Sequence, residues 1–86
     1  MNFTEEQLKT IEEMGSLFYS ARQIAVVLEV DPYEFELLIQ SETPPAFSSY
    51  MKGWYESDIK IRRTTLQAAI NGSTPSLQMI ENYKNK

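Results

Sequence analysis

Residues 20–40 read SARQIAVVLEVDPYEFELLIQ, and the fold turns on how this stretch is parsed. Ser20 is a helix N-cap residue, with Gln23 three positions on as its capping-box partner. Tyr19 before the cap is placed to staple onto Ile24. Ile24, Ala25, Val27 and Leu28 make an apolar stripe at helical spacing. A second helix starts at Asp31, with Pro32 at its first position, where a missing N–H costs nothing, and Glu34 closing a second box. Phe35, Leu38 and Ile39 face inward from it at spacings of three and four. Two short helices around a three-residue turn have the spacing of a helix-turn-helix. Ala25 is the small residue at the crossing, Glu29 takes the left-handed turn position, and Val30 plugs the corner. The plain alternative is an ordinary three-helix corner of similar shape.

The flanks extend this reading to an all-α chain of five helices. Thr4 caps a first helix with Gln7 as box partner and Phe3 stapling to Leu8. Leu8, Ile11 and Met14 set its period, and Gly15 is expected to close it from a left-handed position. Residues 41–45, SETPP, end the third helix and form a rigid linker. From Ala46 to Ile70 the pattern is one long helix. Phe47, Tyr50, Met51 and Trp54 begin its apolar face; Ile61, or Ile59 with Arg62 and Leu66, continue it. Gly53 in its interior marks a close helix approach or a bend. Asn71-Gly72 ends that helix, and Thr74-Pro75 starts a short last one that folds back as an antiparallel hairpin. The expected organisation is a three-helix unit carrying the helix-turn-helix over residues 1–42 and a helical hairpin over residues 43–86, an oligomerisation element.

Composition narrows the chemistry. Eighty-six residues with 42 % hydrophobic content make one small domain. There is no cysteine and no histidine, so disulfides, thiolate metal sites and the usual general base are all missing. No metal site or cofactor is expected. Ser48-Ser49 and Thr64-Thr65 have no partner base in view, and the three glycines are isolated. The chain therefore reads as non-enzymatic. No apolar run approaches the ~20 residues that span a bilayer, and MNFTEEQLK is not a signal peptide. A cytoplasmic protein without membrane contact is expected.

Charge is unevenly spread. The net −4 divides into −7 over residues 1–42 and +3 over residues 43–86. Such a polar chain is suited to head-to-tail association with its own copies. The outward residues of the third helix include Asp31, Tyr33, Glu34, Glu36, Leu37 and Gln40. Three of these are acids, which oppose the phosphate attraction that dominates DNA affinity. Arg22 is the one base nearby. Lys60, Arg62 and Arg63 on the long helix offer a phosphate track, with Lys60 and Arg63 sharing a face. The simpler account is an exposed helical face in which Arg62 or Lys60 pairs with Asp58 or Glu56. Tyr50, Trp54 and Tyr55 suit base stacking, although aromatics at helical spacing more often form core or a subunit interface.

The run IEEMGSLFYSARQIAVVLEVDPYEFELLI, with SSYMKGWYESDIKIRRTTLQAAINGSTPSLQMIENY after it, resembles the small helix-turn-helix proteins of phages and prophages, in particular small terminase subunit-like proteins of Bacteroidetes-type genomes. The resemblance covers residues 10–83. It is carried by a Y-x-K-G entry to the long helix (Tyr50, Lys52, Gly53), by the basic and apolar residues along that helix, and by an A-x-x-G-S/T-P-x-L turn (Ala69, Gly72, Ser73, Pro75, Leu77). It implies a DNA-packaging adaptor in the cytoplasm of a bacterial host. Such a protein is oligomeric, binds double-stranded DNA and regulates a large terminase subunit. The expected DNA contacts are Arg22, Tyr33, Gln40, Lys60, Arg62 and Arg63; the expected oligomer contacts are Phe47, Tyr50, Met51, Trp54 and Tyr55. Two other roles fit the residues: a protein-interaction module using the acidic face, and a small transcriptional regulator of a mobile element.

Overall fold

The computed structural model describes residues 1–71 and Lys84, and among these the chain is all-helical with no strand. Four helices follow one another: α1 (Glu5–Ser16), α2 (Ala21–Leu28), α3 (Pro32–Gln40) and α4 (Ala46–Ile70). The expected last helix and its hairpin lie outside the described residues.

Local chemistry sets three of the starts. Thr4 and Ser20 both form complete capping boxes with Gln7 and Gln23. Asp31 caps α3 alone. Its Oδ1 accepts from the N–H of Tyr33 at 2.8 Å and of Glu34 at 3.1 Å. Pro32 supplies no N–H, so these are the donors left for Asp31 to satisfy, and no return bond from the exposed Glu34 carboxylate completes the box. Glu29 ends α2 in the left-handed region, at φ 59° and ψ 38°, where the N–H of Val30 bonds back to the carbonyl of Ala25 at 3.1 Å.

Ile11, Ile24, Ala25, Phe35 and Ala46 form the buried core, one or two from each helix. Phe3 closes its N-terminal side, edge-on to Phe35 with ring centroids 5.9 Å apart. Leu28, Val30 and Ile39 are half-buried against it. Ala46 belongs to this core, so the start of α4 packs with the segment before the linker.

The α1–α4 seam is the most extensive helix contact and rests on two glycines. A Cβ on Gly15 would lie 2.5 Å from the carbonyl oxygen of Tyr50, and one on Gly53 would overlap the carbonyl of Glu12. Gly53 thus serves a close approach. Gly15 departs from expectation. It remains inside α1, buried, because the α4 backbone lies directly on it. Leu17 is the C-cap, and the left-handed position falls instead to Phe18 at φ 61°. The Tyr50 hydroxyl donates to the Tyr19 carbonyl at 2.9 Å, Lys52 pairs with Glu12 at 3.3 Å, and the Ser57 hydroxyl donates to the Ser16 carbonyl.

Residues of two expected stripes point elsewhere. Val27 is 57 % exposed, because only the arc around Ile24 and Ala25 is covered by the neighbouring helices. On α4, Ile59, Ile61 and Leu66 are exposed, and Thr65 and Ala69 are the buried residues of that stretch. Ser57 sits at the last residue of α1, so residues 58–70 continue past its end. At 1.5 Å per residue that stretch is about 20 Å long.

Candidate interaction surfaces

The α2–α3 corner is braced by charge. Arg22 Nε donates to Glu36 Oε2 at 3.0 Å, and its Nη2 to Oε1 at 3.3 Å. That hydrogen bond and the Glu36 charge raise the guanidinium above its ordinary value, while burial works slightly the other way. The two-pronged geometry suits an arginine–carboxylate pair. It also commits the one base near α3 to a protein carboxylate. Two of the three acids counted on α3 are likewise occupied: Asp31 in capping and Glu36 in this pair. Glu34 remains outward, with Glu29 at the turn.

Tyr33 and Gln40 are both exposed on α3, with Leu37 between them on the same side. Val26 follows Arg22 by four residues on α2, so both share one face. Arg22 reaches Glu36 on α3, and Val26, Tyr33 and Leu37 are all exposed on these two helices. The corner therefore presents an apolar surface with an acidic border.

Lys60, Arg62 and Arg63 are all exposed on the part of α4 beyond α1. Arg62 Nε bonds to Asp58 Oδ2 at 2.8 Å, one turn back, the pairing that the spacing of four allows. The side chains of Lys60 and Arg63 have no hydrogen-bond or ion-pair partner among the described residues. The candidate DNA residues thus form two groups on different elements. Arg22, Tyr33 and Gln40 belong to the corner, and the three bases belong to distal α4.

The candidate oligomer residues are partly engaged within the chain. Phe47, Tyr50, Met51 and Trp54 are half-buried and Tyr55 is exposed. Burial pushes the Tyr50 phenol above its ordinary value. Trp54 meets Phe18 edge-on at 5.3 Å and Tyr55 at 5.4 Å. The Phe18–Trp54 contact links sequence-distant residues, as the Arg22–Glu36 pair does, and no spacing rule within one helix points to it.

Among the described residues no group of three or more acidic, histidine or cysteine side chains is placed to hold a metal ion. No helix among them is long and apolar enough to cross a membrane. No protein family, characterised protein or solved structure matches this chain.

Proposed function

We propose that this chain is a non-catalytic DNA-packaging adaptor of the small terminase kind, working as an oligomer in the cytoplasm of a bacterial host and serving a large terminase subunit. The α2–α3 corner supports a helix-turn-helix as its framework. Ala25 is fully buried, Glu29 is left-handed, Val30 is tucked against the core, and Asp31 caps the second helix. Fold alone does not carry function. The observation that carries the nucleic-acid role is Lys60, exposed on distal α4 with no carboxylate partner among the described residues. Such a cation suits phosphate contact. With Glu34 and Glu29 outward at the corner, α3 is the weaker place for a duplex to bind.

Titrating random-sequence duplex DNA across a salt series tests this. Affinity should fall linearly on logarithmic axes with rising salt, and Lys60→Gln should shallow the slope by about one. Tyr33→Ala and Gln40→Ala should change little. Absence of any duplex binding at low salt would remove the DNA role.

A second reading rests on its own observation. Val26, Tyr33 and Leu37 stand exposed beside unpaired carboxylates, which suits a protein partner better than a phosphate backbone. Under that reading duplex affinity is lost altogether while the corner still binds protein. A small transcriptional regulator would instead be a simple dimer in solution.

A further inference from the structure

We infer that copies of this chain associate head to tail, with the α2–α3 corner of one seated on the distal α4 of the next. This rests on the oligomeric reading above and adds to it the surfaces, their order and the charge pair between them.

Distal α4 carries one continuous outward stripe. Ile59, Leu66 and Ile70 are 46 %, 52 % and 69 % exposed. They are spaced seven and four residues apart, so at ~100° per residue they fall within roughly 40° of one another. Arg63 lies on the same side, four residues after Ile59 and three before Leu66. The stripe is therefore apolar with a cation at its middle. The corner is its counterpart: Val26, Tyr33 and Leu37 are 68 %, 64 % and 45 % exposed, with Glu34 one turn before Leu37. Exposed contiguous apolar surface with a polar border marks an interaction site.

Charge selects the pairing. Stripe on stripe, antiparallel and centred near residue 63, would set Arg63 against Arg63. Corner on corner would bring Glu34 toward Glu34. Like charges brought together in this way are strongly disfavoured. Corner on stripe sets Glu34 against Arg63 and apolar surface against apolar surface. The same polarity runs through the whole chain, −7 before residue 43 and +3 after it. Such an interface joins two different surfaces, so each added copy leaves one of each exposed, and the chain of copies either closes into a ring or continues. In the assembly Arg63 turns to the neighbour's Glu34. Lys60, about 100° or more round the helix from Ile59 and Leu66, stays outward for phosphate.

Light scattering over a concentration series, on the full chain and charge-reversed variants, tests this. Both positions are exposed, and unchanged helical circular dichroism will show that each variant folds. Glu34→Arg alone and Arg63→Glu alone should each weaken self-association by about tenfold or more. The double variant should restore it, as should an equal mixture of the two single variants. A wild-type monomer at every concentration would overturn the oligomeric reading and this inference together. An oligomeric wild type whose mass is unchanged by Glu34→Arg, or a double variant that stays dissociated, would overturn the head-to-tail interface alone.

Discussion

Gly53 shows most sharply how one residue sets the geometry here. In an isolated helix, alanine at that position would be better by about 1 kcal/mol. In the folded chain the added methyl would run into the Glu12 carbonyl, which belongs to backbone and has no rotamer to escape into. Overpacking of this kind costs about 1–3 kcal/mol, so Gly53→Ala should lower the urea midpoint. Ser48→Ala on the exposed part of the same helix should leave it unchanged or slightly raised. A more stable Gly53→Ala protein would mean the two helices are not in backbone contact. The close approach at Gly53 was legible in the sequence as a costly residue in a helix interior. The role of Gly15 was not. A glycine near a helix end fits a C-cap, and only the neighbouring α4 backbone reveals that it is a contact point.

At the scale of elements, the starts were legible because capping is local chemistry. A serine, threonine or aspartate and the residue two or three ahead of it decide where the backbone donors go. Asp31→Ala should therefore cost about 1 kcal/mol, with the loss centred on α3. Glu29→Gly should act in the opposite sense. It relieves a left-handed glutamate and should gain about 0.5–1 kcal/mol. Paired urea denaturation curves check both, and a destabilised Glu29→Gly protein would contradict the turn geometry at the corner. Faces were less legible than ends. Ile24, Ala25 and Phe35 went inward as their spacing implies, whereas Val27 and Leu66 did not. Periodicity identifies an apolar arc, but its width depends on how many neighbours cover it. An eight-residue α2 crossed on one side buries a narrow arc.

At the scale of the whole molecule, the acidic first half and basic second half set how copies meet. Exposed charge pairs weaken as salt shortens the screening length from roughly 10 Å at 0.1 M to 3 Å at 1 M. Solution mass at fixed protein concentration should therefore fall across that range. A mass that rises with salt would point to apolar contact as the sole driver. The charge imbalance was legible from composition. What it acts through was not, because the exposed surfaces at the corner and on distal α4 exist only once α1 has ended at Ser16, beside Ser57 of α4, and Arg22 has paired with Glu36.

By itself the sequence determined the helical class, the caps, the boundaries of the long helix at Ala46 and Ile70 and the left-handed turn at Glu29. Each depends on residues within about one helical turn of one another. Tertiary structure alone decided which glycines carry backbone contact, which carboxylates are already spoken for, and which apolar side chains remain outside. Those outcomes depend on the far partner that a side chain meets, and spacing along a single chain carries no record of that partner.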